Sequence, residues 1–316
     1  MAPALEQIMP YLPPILRQHL TSLTAEQIDS LEEIRCTRAV PVILRFHDTE
    51  SFLAITGGLT ADSSQALISD AELLRRLILL LSDSSFYALE EELRRGYITL
   101  PGGHRAGLTG RAVLDQGKVR GLRDISSVNI RLARALPGIS LPLLPKLLAQ
   151  NRPLATLIAA PPRAGKTTLL RDLAYQFSEG ALIPPLRVGL VDERSELAAL
   201  RGGAPQLPVG RRTDVLDGCP KAEGLMMLIR SMSPELLCCD EVGRAEDALA
   251  LEDAAHAGIP VLATAHALNQ QELLERPVLG QLLAKKAFAR LVILSRRQGP
   301  GTVEAILDSN LQALNF

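Results

Sequence analysis

The chain has 316 residues, of which 47% are hydrophobic and 22% are charged, and its formal net charge is −1. This composition is ordinary for a globular protein, and the length is sufficient for two domains. The nearly neutral net charge argues against a protein that binds nucleic acid or anionic lipid through an overall positive charge. A local basic patch is still compatible with it.

The cysteines and the N-terminus indicate the compartment. Cys36, Cys219, Cys238 and Cys239 form no CxxC pair, which favours a reducing cytosol over a disulfide framework. The first twenty residues lack the basic start and apolar stretch of a signal peptide, and no apolar run approaches the 18 residues of a membrane span. We expect a cytoplasmic protein that is recruited to any membrane at which it works.

Residues 1–140 predict a smaller α+β domain. Alternating runs at 40–46 and 96–114 are typical of strands and turns. Residues 71–81 and 84–96 have helical spacing instead.

Prolines and glycine cluster over 137–153 and predict a domain boundary, with a second domain over 141–316. In this domain, short apolar runs alternate with helical stretches, which predicts a parallel sheet covered by helices. These runs are LATLIAA (154–160), RVGLVD (187–192), ELLCCDE (235–241) and IPVLATAH (259–266). Residues 289–308 predict a closing hairpin.

The strongest functional signal follows the first of these strands. It is the run Ala160, Pro161, Pro162, Arg163, Ala164, Gly165, Lys166, Thr167, Thr168. A loop that wraps phosphates directs its backbone N–H groups inward, and Gly165 permits a close backbone approach. Lys166 is expected to reach the β- and γ-phosphates of ATP, and the Thr167 hydroxyl to ligate Mg²⁺.

The first glycine of the GxxxxGK[ST] pattern is replaced by Ala160. Alanine suits this position if its backbone torsions are ordinary, so we expect an altered loop entrance and retained binding. The alternative is a chance GKT at a helix start. The order of strand, loop and helix argues against chance.

A second strand ends in two acids, Asp240 and Glu241, the arrangement called Walker B. Ligands of open α/β sheets bind at the carboxyl ends of strands, so Asp240 is expected beside the phosphate loop, where it holds Mg²⁺. Glu241 is the predicted base that orients and deprotonates water. The alternative is a solvated acidic pair at a strand end.

Two further strands end in polar residues at the same predicted edge. Glu193 is a candidate second carboxylate near the metal or the γ-phosphate, and a structural salt bridge with Arg194 is the alternative. His266 is a candidate sensor of the γ-phosphate, and a capped structural histidine is the alternative. His256, before Gly258, is better explained as a favourable charge at a helix C-terminus.

With these motifs placed, the chain resembles the stage III sporulation protein AA family, which is related to the secretion and pilus ATPases of the RecA-like P-loop class. The resemblance covers nearly the whole length. Its runs include EEIRCTRAVPV, GYITLPGGHRAGLTGRAV, SSVNIRLAR, PPRAGKTTLLRDLA, VGLVDERSELA, VGRRTDVLDGCPKAEGLMMLIRSMSPELLCCDEVGR and ATAHA.

The resemblance implies a RecA-like ATPase domain that binds and hydrolyses Mg-ATP. Matching positions are Gly165, Lys166 and Thr167 in the P-loop, Glu193 in the acidic box, Asp240 and Glu241 in Walker B, and His266 in the histidine box. Ala160 and Arg163 depart from the glycines typical of the family loop. The resemblance further implies a homo-oligomer, expected to be a hexamer ring. This ring is expected to energise membrane-embedded sporulation channel proteins from the cytoplasmic face of the mother-cell membrane.

Two other functions are compatible with a P-loop. A nucleic-acid-stimulated RecA-like ATPase is the main alternative, but no tryptophan and only 3% aromatic residues are present for base stacking. We therefore expect no nucleic-acid partner. A small-molecule kinase is disfavoured because Glu241 beside Walker B suits water as the acceptor.

An arginine that completes the site from a neighbouring subunit cannot be chosen from the sequence alone. Arg211 and Arg212, in the predicted loop 209–218, and Arg105 and Arg111 in the first domain are candidates.

Overall fold

A computed structural model describes residues 3–47, 49–82 and 96–314. The chain forms two compact units, Met1–Arg134 and Ala135–Phe316. The helix predicted over 84–96 lies outside the described residues, apart from Gly96. None of the helices in the described ranges has the length and apolar character needed to cross a bilayer.

The first unit is an α+β unit built on one antiparallel sheet. Its described helices are α1 (Pro3–Ile8), α2 (Pro14–Leu20), α3 (Ala25–Ser30) and α4 (Ala71–Leu81), with 3-10 turns at Met9–Tyr11, Ser63–Gln65 and Pro101–Gly103. Its strands are β1 (Leu31–Thr37), β2 (Ile43–Phe46), β3 (Glu50–Leu53), β4 (Leu59–Thr60), β5 (Tyr97–Thr99), β6 (Arg105–Asp115) and β7 (Lys118–Arg131). The sheet order is β4-β3-β2-β1-β7-β6-β5.

Local sequence explains these elements. The Asp70 side chain caps α4 by accepting a hydrogen bond from the backbone N–H of Leu73 at 2.7 Å. Leu73, Leu77 and Leu81 then lie buried on one face of the helix. The predicted helix over 71–81 and the predicted strands of this unit are thus confirmed.

The second unit is built on a seven-stranded sheet. It begins with a 3-10 turn at Leu144–Leu147 and a small ribbon of β8 (Leu148–Ala149) and β9 (Arg152–Pro153). The sheet strands are β10 (Thr156–Ala160), β11 (Val188–Asp192), β12 (Thr213–Asp217), β13 (Leu236–Cys239), β14 (Val261–His266), β15 (Arg290–Ser295) and β16 (Thr302–Asp308). The described helices are α5 (Lys166–Glu179), α6 (Lys221–Met232), α7 (Ala245–His256), α8 (Gln270–Glu275) and α9 (Pro277–Ala284).

The strand order in this sheet is β12-β11-β13-β14-β10-β15-β16, and all neighbours are parallel except β15 and β16. Every residue of β10 is buried, because Leu157 and Ala159 pack into one core cluster and Ile158 and Ala160 into another. This burial on both faces explains the continuous apolar runs in the sequence. The predicted parallel core and the closing hairpin are confirmed.

The second unit begins at Ala135, somewhat before the predicted start at 141. Asp172 of α5 explains the difference, because its carboxylate accepts hydrogen bonds from the backbone N–H groups of Gly138 at 2.9 Å and Ser140 at 2.8 Å. These bonds hold residues 138–140 against α5, so this segment belongs to the second unit.

The prediction that 209–218 is a polar loop without a core role is wrong. Thr213–Asp217 forms the edge strand β12, and Val209 is buried. The run has few apolar residues because every residue of this edge strand remains partly exposed.

Candidate functional site

The phosphate-loop residues lie between β10 and α5 at the carboxyl edge of the sheet. Gly165 has φ +89°, and a side chain there would stand 3.1 Å from the backbone nitrogen of Gly301. The backbone N–H of Gly301 also donates to the Ala164 carbonyl at 2.9 Å. Glycine is therefore required at 165 both for the left-handed conformation and for the approach of the β15–β16 connection.

The two departures from the family loop differ in their consequences. Ala160 is the last residue of β10, in ordinary strand conformation, so the expectation about its torsions is confirmed. Arg163 has φ +62°, where glycine is favoured, and a side chain at such a position costs about 1–2 kcal/mol.

Lys166 lies at the start of α5 and is buried. Its ammonium donates to the carbonyls of Ala160 at 3.4 Å and Pro161 at 3.3 Å and to Nδ1 of His266 at 3.0 Å. Burial lowers the pKa of Lys166, while the charges of Glu241, Glu196 and Asp240 act against this shift. The lysine is thus held inside the loop by acceptors that phosphate oxygens would replace.

His266 joins the phosphate loop to Walker B. It pairs in register with Ala160 across β14 and β10, and its Nε2 lies 2.8 Å from Oε1 of Glu241. Since an ammonium has no acceptor, Nδ1 of His266 must accept from Lys166, which places the ring hydrogen on Nε2 for donation to Glu241. Lys166, His266 and Glu241 therefore form one continuous hydrogen-bonded chain.

Glu241 has a second partner and an unusual backbone. Its Oε2 lies 2.8 Å from Nη1 of Arg194, and its φ is +43°. Burial raises the pKa of Glu241, but the hydrogen bond from His266 and the charges of Arg194 and Lys166 outweigh burial and hold the net value below its usual range. The carboxylate is thus ionised, as a base must be.

Asp240 follows the end of β13 and is 2% exposed. Its Oδ2 has no hydrogen-bond partner among the described residues. Burial, with the neighbouring Asp192 carboxylate as the second cause, raises the pKa of Asp240 to about 7. A buried acceptor without a partner is costly unless a ligand completes it.

The two acids after β11 have different partners. Asp192 accepts backbone hydrogen bonds from Glu196 at 2.7 Å, Leu197 at 2.9 Å, Ala198 at 2.8 Å and Ala199 at 3.2 Å. Glu193 is ion-paired with Lys221 and lies 3.8 Å from Nη1 of Arg244. A salt bridge of Glu193 was foreseen, but with Arg194, which instead pairs with Glu241.

Sequence reasoning missed Glu196. Its charge raises the pKa of both Lys166 and Asp240, so it lies within electrostatic range of the phosphate loop and of Walker B. Arg171 of α5 donates to its backbone carbonyl at 2.6 Å. The sequence signal for Glu196 is its position as the third acid in the run Asp192-Glu193-Arg194-Ser195-Glu196. This position lies just beyond the end of β11.

Of the candidate trans arginines, Arg211 and Arg212 belong to the same unit as these groups and lie away from them. Arg211 is ion-paired with Glu179 at 2.6 Å, at the end of α5 opposite Lys166. Arg212 immediately precedes β12, so both lie at the amino edge of the sheet. In the first unit, the Arg105 guanidinium stacks 3.7 Å from the centre of the Tyr97 ring, and Arg111 is exposed on β6.

Comparison with known proteins identifies the family. The family model described as "Sporulation stage III, protein AA" matches residues 4–314. A stage III sporulation protein AA from Bacillus subtilis (strain 168) is 46% identical over 312 residues, which cover 98% of this chain and 97% of the relative. The chain belongs to the stage III sporulation protein AA family. The expected resemblance is confirmed.

Solved structures give the fold of this family member. The ATPase DotB of Yersinia pseudotuberculosis superposes with a TM-score of 0.62 at 15% identity, covering 95% of this chain and 81% of that chain. The Legionella pneumophila ATPase DotB gives a TM-score of 0.59 at 15% identity, covering 89% and 76%. The predicted RecA-like P-loop ATPase fold is confirmed.

The residues of this family member fit a magnesium ion. Mg²⁺ is typically held by one or two carboxylates together with substrate phosphates and water. Asp240 offers a buried oxygen without a described partner, and Thr167 follows the P-loop lysine. No three His, Cys, Asp or Glu side chains converge into a metal cage in the described ranges.

Replacing Asp240 with asparagine tests the buried carboxylate. The pKa of Asp240 is higher in the native state than in the unfolded state. Between these two pKa values the native state binds more protons than the unfolded state. The free energy of unfolding therefore falls as the pH rises toward 7. We expect the metal-free variant to melt above wild type near about pH 8, by at most about 4 kcal/mol in stability. The difference should shrink as the pH falls through this range and vanish only below the unfolded pKa, near about pH 4.

Thermal unfolding in EDTA measures this pH dependence. Asp247, a buried acid that accepts hydrogen bonds from the backbone N–H groups of Gly243 and Arg244, provides a contrasting Asp→Asn control that should destabilise. A lower melting temperature for Asp240→Asn at both pH values would show that the carboxylate has a partner it needs.

Proposed function

We propose that this protein is an ATPase that binds and hydrolyses Mg-ATP. The observation that carries the proposal is the buried Oδ2 of Asp240, which has no hydrogen-bond partner among the described residues and lies at the same sheet edge as Lys166. The hydrogen-bonded chain from Lys166 through His266 to Glu241 supports it, because it links the phosphate loop to an ionised carboxylate.

The proposal gives each residue a task. Backbone N–H groups of the loop from Ala160 to Thr168 and the N-terminus of α5 bind the phosphates, and Lys166 exchanges its present acceptors for phosphate oxygens. Thr167 and Asp240 would hold the metal, which supplies charge stabilisation when it is bound. Glu241 orients and deprotonates the attacking water, and His266 reports phosphate occupancy to it.

The names of the relatives support a proposal about the wider role. The Bacillus subtilis relative is named for stage III of sporulation, and the two structural neighbours are titled ATPases. We infer that the protein energises a membrane-associated, secretion-like channel complex during endospore formation. It would act as a hexamer ring recruited to the cytoplasmic face of the mother-cell membrane. Recovery wholly in the soluble fraction of sporulating cells would contradict this recruitment.

Hydrolysis by the purified wild-type chain tests the activity. We expect Mg²⁺-dependent release of phosphate from ATP that EDTA abolishes, because metal and phosphates share the site. Single-stranded DNA or RNA should leave the rate unchanged. Strong stimulation by either would favour the nucleic-acid-stimulated alternative, and absence of phosphate release together with absence of ATP binding would refute the proposal.

A further inference from the structure

Acidic side chains crowd the carboxyl edge of β11 and β13. The two strands are parallel neighbours, with Val191 opposite Cys239. Asp192 and Glu193 therefore leave the sheet beside Asp240 and Glu241. Like charges this close destabilise one another unless each has a counter-charge or hydrogen bonds.

Most of these acids have clear compensation. Asp192 is satisfied by backbone N–H groups of the loop that follows it. Glu241 is paired with His266 and Arg194. Glu193 is paired with Lys221, and only Asp240 of the four retains a buried oxygen without a described partner.

Lys221 occupies an unfavourable place for a cation. It is the first residue of α6, where the helix has its positive end, and Pro220 before it provides no side-chain cap. The Lys221 side chain is only 7% exposed. Neither burial nor helix stability favours an ammonium here, so its contact with Glu193 must provide the compensation.

The second cation near Glu193 is a weaker partner. Nη1 of Arg244 lies 3.8 Å from Oε1 of Glu193, and the Arg244 side chain is 72% exposed. Exposed ion pairs of this kind contribute little. The buried ammonium of Lys221 is therefore the group that fixes the Glu193 carboxylate.

We propose that Lys221 is a positioning residue that holds Glu193 away from the metal, so that Asp240 is the carboxylate that meets the metal of Mg-ATP. This inference rests on the proposed function, since it assumes that the metal binds beside Asp240. It assigns Glu193 a structural charge pair in place of a role as base or ligand. Because Glu193 is held by Lys221, Asp240 is the one of the four acids that is left to contact the metal.

The variant Lys221→Met removes the ammonium and keeps an apolar stem of similar length. The released Glu193 carboxylate adds negative charge beside Asp240, and the affinity for divalent cations rises with the charge of the ligands. We expect Mn²⁺, used as a probe for Mg²⁺, to bind roughly 3- to 10-fold more tightly to the ADP-bound variant. ATP turnover should fall by roughly 10-fold or more because the metal is drawn from its productive position.

Titration of Mn²⁺ followed by electron paramagnetic resonance measures the affinity, with and without ADP. Lys221→Met/Glu193→Gln should restore the wild-type Mn²⁺ affinity, and Lys221→Arg should preserve it. Glu193→Gln alone leaves the Lys221 ammonium, whose charge acts on Asp240, without its counter-charge, so Mn²⁺ affinity should fall by roughly 3- to 10-fold. Lys221→Met/Glu193→Gln removes both charges and tests the inference even if Lys221→Met alone fails to fold.

Two results would overturn the inference. One is a large loss of Mn²⁺ affinity in Lys221→Met/Glu193→Gln, where no uncompensated charge remains, which would make Glu193 a ligand. The other is an affinity in folded Lys221→Met that equals wild type or that Glu193→Gln does not reverse. A wild-type chain that binds no ADP would instead refute the proposed function, so the two failures are distinguishable.

Discussion

Replacing Lys166 with alanine is expected to lower the affinity for Mg-ATP by at least about 100-fold, because charged hydrogen bonds contribute roughly 1.5–3 kcal/mol each. The ammonium is already buried within the loop, and its three acceptors are two carbonyls and a histidine nitrogen. Phosphate oxygens are stronger acceptors than these because they are charged. The variant keeps the backbone N–H groups of the loop but loses the point cation directed at the phosphates.

Calorimetric titration with a non-hydrolysable ATP analogue and Mg²⁺ measures this loss. Lys285→Ala is a matched control, because it removes an exposed lysine of the same unit that is paired with Glu252. The control should bind the analogue as wild type does. Equal affinities for Lys166→Ala and the control would refute the P-loop assignment, provided that thermal unfolding shows both variants to be folded.

The fold of the second unit was predictable because its signals are local. Strands buried on both faces appear in the sequence as unbroken apolar runs, and Leu169, Leu170 and Leu173 mark the buried side of the P-loop helix. The edge strand β12 was missed because it has no such run. An edge position depends on which strands lie beside it, and that information is not local.

The candidate site was predictable where a residue ends a strand. Lys166, Asp240 and His266 are brought together at one sheet edge, as the parallel arrangement requires. The partners of the acids were not predictable, because Lys221 and Arg194 approach from loops and helix ends that are far away in the sequence. The sequence also does not show that backbone N–H groups donate hydrogen bonds to Asp192, or that a cation forms an ion pair with Glu193.

Glu241 illustrates the same limit. Its place after Walker B follows from the sequence, but its left-handed backbone does not. The Thr264 hydroxyl accepts the backbone N–H of Glu241 at 2.8 Å, and this contact from β14 helps to hold the strained residue. From this backbone conformation the Glu241 side chain contacts His266.

Changing Glu241 to glutamine is expected to leave ATP bound and to lower turnover by roughly 10²- to 10⁴-fold, the usual contribution of a positioned general base. Glutamine preserves the size of the side chain, and its carbonyl oxygen still accepts from Nε2 of His266. Asp240 and Thr167 remain in place to hold the metal. Only the capacity to take a proton from water is lost, together with the ion pair to Arg194.

Single-turnover kinetics with labelled ATP separate binding from hydrolysis in this variant. Glu235→Gln is the matched control, because Glu235 precedes the same strand at its opposite end and pairs there with Arg187. The control should hydrolyse ATP at the wild-type rate. Undiminished turnover in Glu241→Gln would show that Glu241 is not the base and would make Glu193 or Glu196 the candidate.

The ATP-bound Glu241→Gln variant also tests whether the protein assembles into a hexamer ring. A RecA-like site lies at a sheet edge, and an arginine from a neighbouring subunit typically accelerates phosphoryl transfer by about 10³- to 10⁵-fold. Arg211 is tied to Glu179 and Arg212 lies nearby, both at the sheet edge opposite their own phosphate loop, so they can act only on another subunit. Closed rings form through head-to-tail contacts of this kind.

Light scattering of Glu241→Gln with ATP should therefore show oligomers of up to hexamer size, and these oligomers should not form with ADP. Monomers at high concentration, together with full wild-type activity at nanomolar dilution, would rule out the ring because no neighbour would then be needed for hydrolysis.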